Sequence, residues 1–111
     1  MIKSRNYDRN IAVVKALRDA GADFRKQHAL EHHLYCYTQA SFELVQSLGI
    51  RLGYSVAHEG KHEDEQDLWS LDLVKRSAPD IESVERQSLE IEEIAERANA
   101  KYDGWGTEVE Q

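Results

Sequence analysis

Hydrophobic residues recur at intervals of three or four positions in three segments of the chain, a spacing that predicts helices with one buried face. The first segment follows Asp8, a predicted N-cap, and ends before Gly21. Its apolar positions are Ile11, Val14 and Leu17. Charged residues lie between them, so we expect a first helix whose other faces are exposed to water.

The second and third helical segments have clearer ends. Thr38 is a predicted N-cap for the second, and Gly53 ends it. The apolar residues of the second segment are Phe42, Val45 and those from Leu48 to Leu52. The third forms a single stripe from Ile81, Val84, Ser88, Ile91, Ala95 and Ala98. Pro79 precedes it, where a missing N–H costs least, and Ser77 or Asp80 can cap it.

Alternation of apolar and polar residues predicts the strands. In the first strand, Leu30, His32 and Leu34 alternate with Glu31, His33 and Tyr35. A short second strand is predicted from Tyr54 to His58, and a third around Trp69, Leu71 and Leu73. The charged segment from Gly60 to Gln66 is predicted to be an exposed connection between them. The segment around Trp105 makes a fourth strand.

The predicted order is helix, strand, helix, strand, strand, helix, strand. Without the first helix this is β-α-β-β-α-β, the order of the ferredoxin-like sandwich, in which two helices cover one face of an antiparallel sheet. The first helix could lie at an edge or cover part of the other face. We therefore predict one α+β domain over residues 1–111, a ferredoxin-like sandwich with an additional N-terminal helix.

Composition narrows the class of partner. The chain of 111 residues has 14 Lys and Arg against 21 Asp and Glu, so its formal net charge is -7. Such a surface repels the phosphate backbone of nucleic acids and attracts a basic protein. The single cysteine permits no internal disulfide, and no run approaches the ~20 apolar residues of a membrane span. We expect a cytoplasmic protein with no membrane or nucleic-acid partner.

The segment from Tyr102 to Thr107 places a glycine on each side of Trp105. Glycine weakens a strand because it loses backbone entropy on folding and offers no side chain to pack, so it indicates a bend or a close approach. Two interpretations stay open. Trp105 is either a core residue beside a bulge at Gly104 or an aromatic anchor that contacts a partner.

The histidines raise the possibility of metal chemistry. A metal-dependent hydrolase could use His58 and His62 together with the neighbouring acidic residues Glu59, Glu63 and Asp64. However, Gly60 between the two histidines favours a turn, and no third ligand follows at a recognisable interval. The sequence therefore predicts no metal and no cofactor, with the hydrolase as an alternative.

Two further histidines occupy one strand. His32 shares its side with apolar residues, which is typical of a hydrogen-bonded core histidine, whereas His33 shares its side with Glu31 and is the better surface candidate. Cys36 has no evident partner base and is expected to be a small buried hydrophobe. No phosphate loop or nucleophile elbow occurs. We therefore do not expect an enzyme.

Three segments resemble the family called regulator of ribonuclease E activity B. They are Leu30-Glu31-His32-His33-Leu34, Leu52-Gly53-Tyr54-Ser55-Val56 and Tyr102-Asp103-Gly104-Trp105-Gly106-Thr107. They occur in the family's order and at similar separations, and the last is the most specific. Members of the best-known type continue from this segment into a long acidic tail, whereas the present sequence ends at Gln111.

The resemblance implies a ferredoxin-like domain, usually with a leading helix, that binds ribonuclease E and lowers its activity by contact. It thus implies a non-enzymatic protein with ribonuclease E, or a similar basic RNA-processing protein, as its partner. The residues we expect at the contact are Glu31, His32, His33, Tyr102, Asp103, Gly104, Trp105 and Gly106. An immunity-like binder of another basic nuclease stays open, because the negative charge suits it equally.

Overall fold

The structure is a computed structural model that describes residues 2–65 and 67–111. Within them, three helices and four strands follow one another in the predicted order. They are α1 (Tyr7–Asp19), β1 (His28–Cys36), α2 (Gln39–Arg51), β2 (Ser55–Lys61), β3 (Trp69–Ser77), α3 (Ile81–Ala98) and β4 (Lys101–Gly106). The prediction of an α+β fold with a leading helix is confirmed. None of the described helices is long and apolar enough to cross a bilayer.

The four strands form one sheet in the order β2-β3-β1-β4, and every neighbouring pair is antiparallel. β1 pairs with β3 without interruption, from His28 opposite Ser77 to Cys36 opposite Trp69. Helices α2 and α3 each connect two strands that are separated in the sheet by one other strand, which is the split β-α-β arrangement. β1 lies between β3 and β4, so the alternating side chains of β1 mark the middle of each face of the sheet.

Apolar side chains of β1 and β3 face the helices and form the core. Leu34, Leu71 and Leu73 have no exposed surface, and they belong to one cluster with Val45 of α2 and Ile91 of α3. The side-chain caps predicted for α2 and α3 are present. Thr38 accepts from the Ser41 N–H and Asp80 from the Ser83 N–H, while the Ser77 hydroxyl donates elsewhere.

Helix α1 lies beside α3, on the same side of the sheet as the other two helices. Val14 of α1 joins Leu30 of β1 and Val84 of α3 in a second buried cluster. The predicted cap at Asp8 was wrong, because α1 begins at Tyr7 and Asp8 lies in its first turn. Ile11 is 40% exposed, since three-residue steps drift away from the buried face of a helix with 3.6 residues per turn.

Strand β2 is longer than predicted. Pairing with β3 continues past His58 to Lys61, because a bulge between Ala57 and Gly60 absorbs an extra residue. Gly60 is therefore part of a strand, which corrects the turn predicted there, and the connection to β3 is shorter than expected. Of that predicted connection, Gln66 lies outside the described residues.

An uncovered acidic face of the sheet

The sheet face opposite the three helices, here called the open face, has side chains from alternate positions of β1 and β3. Glu31, His33 and Tyr35 of β1 are half-buried there, whereas the residues between them are fully buried beneath the helices. Strand pairing places Asp72 of β3 directly opposite His33. The alternation read from the sequence of β1 thus separates its charged side chains from its apolar ones.

A shallow depression of about 250 Å³ lies on this face between β1, β3 and β4. Its lining residues are Glu31, His33, Asp72, Asp103, Gly104, Trp105 and Gly106. Six of the eight predicted contact residues thus surround one feature, and the two that do not are His32 and Tyr102. Three carboxyl side chains at the depression make it acidic, which suits a cationic partner.

The bulge at Gly104, which belonged to one of the two interpretations of this segment, shapes the depression. The register between β1 and β4 shifts between His32 and Leu34, so that Asp103 and Gly104 both lie opposite His33. Gly104 has φ 101°, which a residue with a side chain rarely adopts. Because the bulge consumes one residue, Tyr102 and Trp105 both point toward the helices while Asp103 is exposed.

His33 has a defined orientation within the depression. Its Nδ1–H donates to Oδ1 of Asp72 at 2.6 Å, and the edge of its ring meets Tyr35 with a centroid separation of 4.8 Å. Asp72 is largely buried, so this hydrogen bond replaces water that the carboxylate has lost. The Nε2 side of the ring carries the remaining hydrogen-bonding capacity of His33.

His32 and Tyr102 lie on the helix side of the sheet. His32 is fully buried, and its Nε2–H donates to Oε1 of Gln87 at 2.7 Å, while the Tyr102 hydroxyl donates to its Nδ1 at 2.6 Å. Burial lowers the pKa of His32 to about 4, so the ring is neutral at pH 7. Both residues have structural partners, and neither lines the depression on the open face.

Trp105 packs beside the buried cluster of Val14, Leu30 and Val84, and it also borders the depression. Its indole Nε1–H donates to Oδ1 of Asn10 in α1 at 2.8 Å. These contacts favour the core interpretation of Trp105 over the exposed anchor. The sequence alone could not separate the two, because both place an aromatic ring on a half-buried strand.

Asn10 connects three elements and was missed by sequence reasoning. Besides accepting from Trp105, its amide donates to a carboxylate oxygen of Glu85 at 2.7 Å and to the Ser88 hydroxyl at 2.9 Å. Burial alone would raise the pKa of Glu85, but hydrogen bonds from Ser4 and Asn10 outweigh it and lower the pKa. A polar residue between apolar helix positions gives no sequence signal for such a role.

The hydrolase site considered from sequence does not assemble. The His62 ring bonds to the Ser70 hydroxyl, and the Glu59 carboxylate accepts from Gln46 of α2. His58 instead lies near Glu31 and Asp72, with ligand atoms within 4.8 Å of one another.

Asp72 was missed as a residue of the depression, although its position between Leu71 and Leu73 places it on the open face by simple alternation.

Cys36 is fully buried at the end of β1. Burial raises the pKa of its thiol, so the sulfur is not held as a nucleophilic thiolate. The prediction of a small buried hydrophobe is confirmed.

Within residues 2–65 and 67–111, the fold and the open face define a small α+β domain with three helices on one side of its sheet and a charged surface that no helix covers on the other. The chain belongs to the family described as Regulator of ribonuclease activity B, whose model matches residues 7–107. The resemblance seen in the three sequence segments is thereby confirmed.

Relatives with that same name come from several bacteria. The one from Pseudoalteromonas translucida is 30% identical over 97 residues, covering 86% of this chain and 87% of the relative. The one from Xenorhabdus nematophila is 25% identical and covers 98% of this chain and 79% of the relative. The one from Pantoea ananatis is 29% identical and covers 88% and 71%.

Proposed function

We propose that this chain regulates a ribonuclease by binding it through the open face of its sheet, without chemistry of its own. The observation that carries the proposal is that Glu31, His33 and Asp103, taken from segments typical of the family, meet around one acidic depression. The relatives are named for the regulation of ribonuclease activity, which makes a ribonuclease the favoured partner over other basic nucleases.

The finer form of the proposal is inhibition of ribonuclease E in the cytoplasm. A net charge of -7 favours contact with a basic segment of the enzyme and disfavours contact with its RNA substrate. Regulation would then work by occupying or displacing an enzyme surface. The buried thiol of Cys36, the one cysteine in the sequence, is consistent with a binder.

The proposed inhibition can be tested with three purified components: ribonuclease E, a short labelled RNA and this chain. We expect the chain to bind the enzyme in the absence of RNA and to lower the cleavage rate. Asp103→Lys reverses an exposed charge at the depression, and Glu93→Lys makes the same charge change at an exposed position of α3. We expect Asp103→Lys to weaken binding about tenfold, and Glu93→Lys to weaken it much less.

Each part of the proposal can fail separately. If the chain binds no ribonuclease but does bind RNA, the class of partner is wrong. If both charge reversals weaken binding equally, the enzyme contacts no particular face and the open face is not the docking surface.

A further inference from the structure

Three side chains with metal-ligand atoms meet on the open face from three adjacent strands: His58 of β2, Asp72 of β3 and Glu31 of β1. Their ligand atoms lie within 4.8 Å of one another, and in residues 2–65 and 67–111 no other group of three His, Cys, Asp or Glu is so placed. We propose that these three side chains bind one divalent transition-metal ion, of the zinc or manganese type.

The bulge in β2 brings the imidazole to this place. Ala57 lies opposite Asp72, so regular alternation would turn the next residue, His58, toward the helices. Instead His58 has φ 50°, a left-handed conformation that is uncommon outside glycine, and its ring reaches the open face. Bulges commonly redirect one side chain in this way next to functional sites.

The two carboxylates have a reason to accept a cation. Glu31 and Asp72 are closer than like charges favour, and Asp72 is largely shielded from water. His33 donates from Nδ1 to one oxygen of Asp72, which leaves the second oxygen for an ion. Outer hydrogen bonds of this kind orient the carboxylates of metal sites.

The donor set selects the ion. One imidazole nitrogen and two carboxylate oxygens suit zinc or manganese, whereas magnesium prefers oxygen ligands alone and retains most of its water. We expect zinc to bind more tightly than manganese, and both more tightly than magnesium. Three protein ligands leave coordination positions that face the solvent on the open face.

Calorimetric titration of the full chain with Zn²⁺, Mn²⁺ or Mg²⁺ tests the site without any partner protein. We expect one zinc ion per chain. Asparagine tolerates a left-handed backbone, so His58→Asn removes the imidazole while keeping the bulge. This variant should weaken zinc binding by about tenfold or more, as should Asp72→Asn. The matched control is His62→Asn, four residues further along the chain, which should leave zinc binding unchanged.

A measurement on the unaltered protein guards against variants that misfold. Paramagnetic Mn²⁺, added below one equivalent, should broaden the amide NMR signals of Glu31, His58 and Asp72 first. The proposal is overturned if zinc does not bind at about one ion per chain, if His62→Asn weakens it as much as His58→Asn does, or if the broadening is centred elsewhere.

Discussion

At the scale of single residues, Trp105 connects the last strand to α1. Its ring packs beside Val14 and Leu30, and its N–H donates to the buried Asn10. Trp105→Ala should therefore lower the free energy of unfolding by about 3 kcal/mol, near the lower end for tryptophan truncation because the side chain is only partly buried. Urea denaturation followed by circular dichroism gives this value.

Trp105→Phe serves as the control. It keeps most of the apolar contact but leaves Oδ1 of Asn10 without its donor, so we expect a smaller loss of about 1–2 kcal/mol. If Trp105→Ala leaves the free energy of unfolding unchanged and instead lowers affinity for the ribonuclease, the indole is a contact residue and the core interpretation fails.

His32 makes the stability of the fold depend on pH. Its pKa is about 4 in the folded protein and near the ordinary value of 6.5 when unfolded, so the unfolded state binds the proton more tightly. The contribution of His32 to the free energy of unfolding is therefore nearly constant above pH 6.5, and it falls as the pH drops from 6.5 toward 4. We expect the His32 contribution to reach about 2 kcal/mol of lost stability by pH 5.

Urea unfolding at pH 7.5 and pH 5.0 isolates this effect when it is compared with the same pair of measurements on His32→Gln. Lowered carboxyl pKa values, such as that of Glu85, contribute to acid sensitivity in both proteins and cancel in the comparison. Equal losses of stability in the two proteins would show that His32 titrates normally and is not held neutral by burial.

At the scale of elements, sequence patterns predicted each helix and strand that the structure describes, but neither the full length of β2 nor its bulge. Period-two alternation identifies a face only while the register is unbroken, and one inserted residue reverses it. In β4 the flanking glycines gave a signal for the bulge at Gly104. In β2 nothing marked His58, because a left-handed histidine is not distinguishable by composition. The proximity of His58 to Asp72 and Glu31 was missed for that reason.

The packing of α2 on the sheet depends on Gly49. A Cβ atom at this position would lie 2.6 Å from Cδ2 and 2.8 Å from Cδ1 of Leu73 in β3. Alanine favours a helix over glycine by about 1 kcal/mol, but the overpacking costs about 1–3 kcal/mol. We therefore expect Gly49→Ala to destabilise the protein by about 1 kcal/mol in chemical denaturation.

A double-mutant cycle with Leu73→Ala shows whether the steric contact is the cause. Leu73→Ala removes the atoms that the new methyl group would meet, so the pair should be less destabilised than the sum of the single variants. A stabilising Gly49→Ala, or strict additivity of the two changes, would mean that α2 does not approach β3 this closely.

At the scale of the whole molecule, the position of α1 determines what a partner can reach. The sequence did not decide whether this helix covers the second face of the sheet, because an amphipathic pattern indicates a buried side but not the surface that buries it. Asn10 determines the position of α1, because its side chain makes hydrogen bonds to α3 and β4 that hold α1 in the helix layer. As a result, none of the helices in the described part of the chain covers the open face with its carboxylates.

Net charge and local contact should act on different steps of binding to the ribonuclease. In the proposed contact with a basic segment, the charge of -7 acts over distances comparable with the Debye length, about 10 Å at 0.1 M salt, so raising the ionic strength should mainly slow association. Stopped-flow or surface plasmon resonance measurements at about 0.05 and 0.5 M salt should show an association rate lower by about tenfold or more at the higher concentration.

Asp103→Lys and Glu93→Lys change the net charge equally and should slow association to a similar extent, but only Asp103→Lys should speed dissociation. An association rate that does not respond to salt would show that the acidic surface does not attract the partner.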